Sequence, residues 1–367
     1  MIGEARVLKR VLATALLPLL LGAAPPYRVA TVATGLDHPW SVAFLPDGRA
    51  LVTERAGRLR VIADGRLTPK PIAGVPPVYV EGQGGLFDVT PHPRFAENRL
   101  LYLSYAAGTP GANVTRIARA RLDGDRLTDL AVIYATAPTK DTPVHYGGRL
   151  AWLNDGTLAM TTGDGFDHRE QAQRLGSALG KIIRLRDDGS IPADNPFVGR
   201  VGARPEIWSL GHRNPQGLAV DPATGALFAH EHGPAGGDEV NLVRRGANYG
   251  RPVATRGRDY SGASISPYKS YRGMTDAIVG WTPSIAPSGL TVYRGAMFPE
   301  WRGDLILGAL AHAHVRRVDL EGGRVAGQER LFPGLKARIR DVRTAPDGAL
   351  WVTTDEEQGR VLRVTRG

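Results

Sequence analysis

The sequence predicts an all-β fold, a six-bladed β-propeller with four-stranded antiparallel blades, and three observations predict it. A pattern of a tight Asp-Gly or Thr-Gly turn, alternating apolar residues and then an acidic residue occurs at 46–54 (PDGRALVTE), 154–164 (NDGTLAMTTGD), 221–231 (DPATGALFAHE) and 346–356 (PDGALWVTTDE). Each copy reads as a hairpin entering a strand whose alternate side chains face one layer. Two weaker copies, ENRLLYLSY at 97–105 and WRGDLILGAL at 301–310, fall in the gaps. The six starts are spaced at intervals of roughly 45 to 80 residues, which suits one four-stranded blade with loops of variable length. Finally, no sustained helical periodicity runs against this reading. The one helix expected is a two-turn piece around Arg169 to Leu179, before the strand KIIRLR.

Taken in order, the chain opens with Lys9 and Arg10, the apolar run Val11 to Leu21 and the small residues Gly22, Ala23 and Ala24. Charge, apolar core and small residues in that order make a secretory signal, and the run is too short to span a bilayer as a helix. An uncleaved anchor is the alternative. Residues 1–24 are therefore read as a signal peptide and 25–367 as one propeller domain, periplasmic or secreted, with no membrane span in the mature chain.

With 42% hydrophobic and 22% charged residues, the chain can bury a large core. It has no cysteine, which excludes disulfides, thiolate metal sites and a cysteine nucleophile. The formal net charge of +10 is carried almost wholly by arginine and is dispersed. A nucleic-acid face would be clustered, so nucleic-acid binding is not expected. Attraction for anionic ligands is.

A propeller gathers its long loops around one mouth of a central channel. The long irregular stretches are 76–92, 138–149, 163–180, 211–216, 230–239, 251–289 and 333–341. The densest polar cluster lies in 206–250, where Arg213, Asn214, Gln216, His230, Glu231, His232, Asp238 and Glu239 sit among turn residues. Gly, Asn and Asp alone would only make turns; Arg and His have no special aptitude for them. Elsewhere, GQGG contributes Gln83 and PVHYGGRL contributes His145, whose following glycines allow close backbone approach to a ligand. Arg338 and Arg340, two apart, point to one face of a strand. Two guanidiniums there repel unless an anion or a carboxylate lies between them.

These loop sequences, in this order, resemble the soluble aldose-sugar dehydrogenases that use pyrroloquinoline quinone, the glucose/sorbosone dehydrogenase family. The motifs are GLDHPWSVAFLPDG at 35–48, the GQGG loop, GHRNPQGL, and HGPAGGDEVNL with GANYG; the likeness runs to the last PDG strand. The resemblance implies aldose oxidation at C1, with His145 as the base that takes the anomeric proton while hydride leaves for the quinone. It implies that Arg213 stabilises charge on the quinone oxygen, and that Gln83, Asn214, Arg338 and Arg340 contact the cofactor. It also implies a calcium ion held by the carbonyls of Gly233 and Pro234, oxygen donors that suit a hard cation. A second calcium would sit at Glu239, the Tyr249 carbonyl and Asp259, and Trp281 would stand at the sugar mouth. The partners implied are an aldose and an unidentified electron acceptor, and the assembly is a monomer or homodimer.

Three positions depart from the glucose-oxidising pattern. Ala311 stands where those relatives have a cofactor-contacting lysine, Gly165 where they have a glutamine, and Val144 where an acid precedes the histidine. Broad aldose specificity is therefore expected. Two other classes compete. A calcium-dependent lactonase would want acidic ligands converging on the channel, whereas an exported carbohydrate-binding propeller would need no base beside a charge stabiliser. No strand-turn-helix G-x-G-x-x-G is present for nicotinamide or flavin.

Overall fold

The computed structural model describes residues 27–367, and the expected signal peptide lies outside them. Six four-stranded antiparallel sheets follow one another around a central axis. The first five blades occupy 39–67, 86–135, 147–210, 215–281 and 287–331. The sixth joins Ile339–Thr344, Leu350–Thr354 and Gly359–Arg366 to Tyr27–Leu36, which pairs antiparallel with Gly359–Arg366. All six repeats seen in the sequence are second strands: Ala50–Glu54, Leu100–Thr109, Leu158–Thr162, Leu227–Glu231, Leu305–Ala309 and Leu350–Thr354.

Second strands such as Ala50–Glu54 and Leu158–Thr162 are buried at every position, because both faces of each sheet pack on a neighbouring blade. The apolar clusters lie between blades: Leu51, Leu59 and Val61 of the first meet Leu86, Leu101 and Leu103 of the second. No described helix is long and apolar enough to cross a membrane.

One backbone device recurs in all six inner strands. The pairing of each with its second strand slips near its start, between Pro39 and Ser41, Leu86 and Val89, Gly147 and Leu150, Pro215 and Gly217, Ser288 and Leu290, and Ile339 and Asp341. Each slip is a bulge, which leaves an extra residue unpaired and re-aims it. The released segments carry Trp40, Phe87, Arg149, Gln216, Gly289 and Arg340.

The predicted two-turn helix is only one 3₁₀ turn, Arg169–Gln173. The Lys181 ammonium takes the carbonyls of Gln171 and Ala172 at 2.7 and 3.0 Å, together with that of Leu179 at 2.7 Å. The acceptors that would propagate the helix are therefore already used.

Candidate active site

A cavity of ≈ 310 Å³ opens over the bulge ring, lined by Trp40, Phe87, Gln216 and Arg340 from the bulges and by Gln83, Tyr146, Asn214, Arg338 and Asp355 from the loops above. Every blade contributes to it. Below, the guanidinium of fully buried Arg149 lies 3.9 Å from the Trp40 ring centre and 3.0 Å from Asp341.

Next to Tyr146 of this lining stands His145, in a left-handed conformation with φ 55°. Its N–H donates to Gln83 Oε1 at 2.9 Å, and Gln83 Oε1 also accepts from Asn214 Nδ2 at 3.4 Å. Its ring Nδ1 lies 2.6 Å from Asp164 Oδ1. An ionised carboxylate only accepts, so Nδ1 carries the hydrogen and Nε2 keeps its lone pair; Nε2 has no protein partner among the described residues. Burial lowers the proton affinity of His145 below the ordinary imidazole value, with Arg213 and Arg251 adding to this and Asp164 opposing it. The ring is thus neutral at neutral pH. Burial works against Asp164 too, but His145, Arg251 and Arg213 outweigh it and hold the carboxyl below its usual range.

Arg213 is fixed from both ends. Its backbone N–H donates to Glu231, which also accepts from His212 Nδ1 at 2.9 Å. Its Nη1 donates to the carbonyls of His232 and Gly233 at 3.1 and 2.9 Å, and its Nη2 reaches the Tyr260 hydroxyl at 3.5 Å. Gly233 must be glycine: an added Cβ would come 2.2 Å from the Gly236 carbonyl oxygen. Beyond Arg213 lies a second hollow, ≈ 370 Å³, lined by Phe166, Arg169, Pro234, Arg251, Asp259 and Tyr260. Phe166 meets the His145 ring edge-on at 5.2 Å and stacks with Tyr260 at 6.3 Å. His145 and Arg213 thus stand between an inner cavity lined by cations and aromatics and an outer hollow walled by aromatic faces.

The two guanidiniums expected to need an anion share one of the chain's own: Arg338 and Arg340 reach Asp355 Oδ2 at 3.2 and 2.8 Å, and His38 lies 3.3 Å from its other oxygen. Burial opposes ionisation of Asp355, but the two arginines hold the carboxyl well below its usual range. One carboxylate against two guanidiniums leaves a net positive charge, and Arg340 Nε is buried without a partner. Arg55 adds another cation to the lining.

Several expected residues are placed otherwise. Trp281 does not line either cavity. It packs with Leu290, Leu307 and Val318, and its indole N–H donates to Gln328 at 2.7 Å, because it sits on an outer strand between the fourth and fifth blades. The residue expected at the sugar mouth thus packs in the core, and Phe166 and Tyr260 are the aromatics at the outer hollow. The second-calcium trio is divided. Glu239 and Tyr249 line one small hollow with Asp276, but Arg256 and Lys269 line it too. Asp259 lies instead beside Arg169, at 3.7 Å. Burial, with the Glu231 carboxylate nearby, pushes Glu239 up to about 8. Among the described residues no three His, Asp or Glu side chains converge as a metal cluster.

The departures also have physical consequences. At Gly165 the left-handed backbone (φ 74°) strains any side chain, and an added Cβ would come 3.1 Å from the Lys140 stem and 3.2 Å from the His168 ring, so a larger residue requires those side chains to shift. Ala311 lines the inner cavity, which therefore has no cation at that point. With Val144 beside it, the histidine takes its carboxylate from Asp164, a residue that only the GD turn could have suggested.

A model of the glucose/sorbosone dehydrogenase family matches residues 36–363. The chain is 43% identical over 336 residues to the aldose sugar dehydrogenase YliI of Escherichia coli, covering 90% of each chain. Among solved structures, the apo soluble aldose sugar dehydrogenase of E. coli superposes with TM-score 0.89 at 41% identity, over 93% of this chain and 100% of that one. The pyrroloquinoline-quinone-bound aldose sugar dehydrogenase of Streptomyces coelicolor does so with TM-score 0.75 at 29% identity, over 94% and 99%. With a matching six-bladed fold and the expected motif residues around one mouth, the chain belongs to the glucose/sorbosone dehydrogenase family.

Proposed function

We propose that the protein oxidises aldose sugars at C1 to lactones, with pyrroloquinoline quinone in the inner cavity, calcium beside it and the sugar in the outer hollow. The observation that carries this reading is the neutral, carboxylate-held His145 with its free Nε2, standing beside Arg213 between two cavities of different character. When bound, the quinone supplies a two-electron sink for hydride and the calcium polarises its carbonyl.

The chain's own residues supply the rest. His145 Nε2 takes the proton of the anomeric hydroxyl, a poor proton donor at neutral pH without a base within reach. Asp164 orients the ring and stabilises the imidazolium as it forms. Arg213 is a fixed, water-poor positive charge where negative charge develops on the acceptor side. The surplus charge of Arg338 and Arg340, with Gln83 and Asn214, fits an acidic planar ligand, and Trp40, Phe87 and Tyr146 fit its ring system. Gly233 and Pro234 offer the carbonyl oxygens that a calcium ion takes. The faces of Phe166 and Tyr260 suit sugar C–H groups.

The test is dye-linked oxidation of glucose and xylose by purified protein with and without the quinone and calcium, repeated after chelation. Activity that requires the quinone and falls on chelation is expected. Inactivity across a panel of aldoses, with no quinone bound, would overturn the reading.

A further inference from the structure

We propose that the segment 251–276, which crosses the mouth beside the outer hollow, is the docking surface for an acidic one-electron redox protein. This rests on the sugar oxidation proposed above. Each aldose converted to lactone yields two electrons and two protons; the electrons leave as two one-electron transfers to two acceptor molecules, and the protons pass to solvent.

The segment links two strands of the fourth blade, Asp238–Val243 and Val279–Trp281. It carries Arg251, Arg256, Arg258, Lys269 and Arg272 against Asp259 and Asp276. Arg251 turns inward to Asp164 at 3.2 Å, and Asp259 is taken by Arg169. The exposed Arg256, Arg258, Lys269 and Arg272 are left without an ion-pair partner among the described residues. Between these charges stand three tyrosines with large exposed areas: Tyr260 at 65%, Tyr268 at 48% and Tyr271 at 45%. Tyr268 and Tyr271 hold each other edge-on at 4.9 Å. Beside them Pro252, Val253, Ile265 and Pro267 line a shallow hollow of ≈ 290 Å³.

Unpaired cations around exposed tyrosines are the make-up of a transient protein interface, with aromatic contacts inside a charged rim. A small anion would need only the charges, not three rings spread along a segment. The position matters as much. The Tyr260 hydroxyl lies 3.5 Å from Arg213 Nη2, so a protein seated on this segment is one side chain away from the reaction centre. Electron transfer weakens steeply with distance, so an acceptor must dock close to His145 and Arg213, as one seated here would.

The experiment uses cofactor-loaded enzyme with excess glucose and follows reduction of two probe proteins, an acidic c-type cytochrome and a basic mitochondrial cytochrome c, beside a neutral small dye. Expected is faster reduction of the acidic cytochrome, falling about tenfold from low to physiological salt as steered association is screened. In the Arg258→Glu/Arg272→Glu variant the acidic cytochrome slows by a similar factor, while the dye-linked rate is unchanged. The neutral Arg258→Gln/Arg272→Gln variant falls between. Equal rates for the two cytochromes, or an acidic-cytochrome rate unaffected by charge reversal, would overturn the proposal. So would charge reversal that abolishes binding to anionic phospholipid vesicles while leaving cytochrome reduction intact, which would make the patch a membrane contact. Failure to reduce the dye as well would instead count against the sugar oxidation.

Discussion

Replacing Asp164 by Asn tests the assignment of the base most directly. The carboxylate is fully buried, 2.6 Å from His145 Nδ1, and its other oxygen is held by Arg251 at 3.2 Å. Asn keeps the shape and one acceptor but removes the charge that faces the imidazolium as it forms. Unit charges about 4 Å apart at an effective dielectric near 20 interact by about 4 kcal/mol, and the remaining amide acceptor recovers part of this. At about 1.4 kcal/mol per tenfold, kcat falls by about two to three orders of magnitude. The sign on pH follows separately. Asp164 raises the proton affinity of His145 against burial, so its loss moves the acid limb of kcat/KM to still lower pH. The assay is dye-linked turnover at saturating quinone across pH, with quinone affinity measured by absorbance and folding by thermal melt. A folded variant with wild-type turnover, or one whose loss lies wholly in quinone affinity, would refute the reasoning.

Other outcomes follow from the same geometry. His145→Ala should keep quinone affinity and lose about 10²–10⁴ in turnover, the usual worth of a positioned base; stopped-flow reduction of bound quinone checks it. Arg338→Ala should weaken reconstitution more than the chemical step, because it touches the cavity lining and Asp355 but not His145, and a quinone titration followed by turnover at saturation separates the two. Trp281→Ala should leave the sugar KM unchanged and cost about 3–5 kcal/mol of stability as a core truncation, read by urea unfolding. Burial pushes Lys181 down to about 7 from 10.5, so the unfolded chain binds more protons between those values. On that account stability rises with pH across the window by at most about 1.4 kcal/mol per unit. Lys181→Met should remove this part of the slope in urea midpoints measured from pH 7 to 10.

The blades were legible because each second strand begins at a tight turn and then alternates, a signal contained in ten consecutive residues. His145 and Arg213 were legible because glycine-rich loops hold residue types that turns do not require. What could not be read were partners brought together across the first hairpin of a blade, where Gly147 pairs with Thr162 and Ile339 with Thr354. Asp164 is nineteen residues from His145, and Asp355, just past the strand Leu350–Thr354, lies seventeen from Arg338. Nothing local distinguishes these acids from the carboxylates that end other hairpins. Trp281 shows the converse limit: an indole near a loop can pack on either side of its strand, and only the neighbouring blade, through Gln328, decides which. The length of the 169–179 helix depended on Lys181, whose ammonium competes for the same carbonyls from outside the segment.

The bulge ring shows how a repeated architecture can acquire an unrepeated chemistry. The same one-residue slip occurs six times, yet the side chains it releases are an indole, a phenyl ring, a guanidinium bonded below, an amide, a glycine without any side chain, and a guanidinium turned toward Asp355. Pseudo-sixfold symmetry ends at the Cβ atom. Exchanging residues at the four positions that line the cavity, Trp40, Phe87, Gln216 and Arg340, therefore recomposes its floor, whereas Gly289 is held to glycine by the Asp341 backbone 2.6 Å from an added Cβ and Arg149 ties the blades together, so ligand preference can drift among descendants of this scaffold at some bulges and not at others.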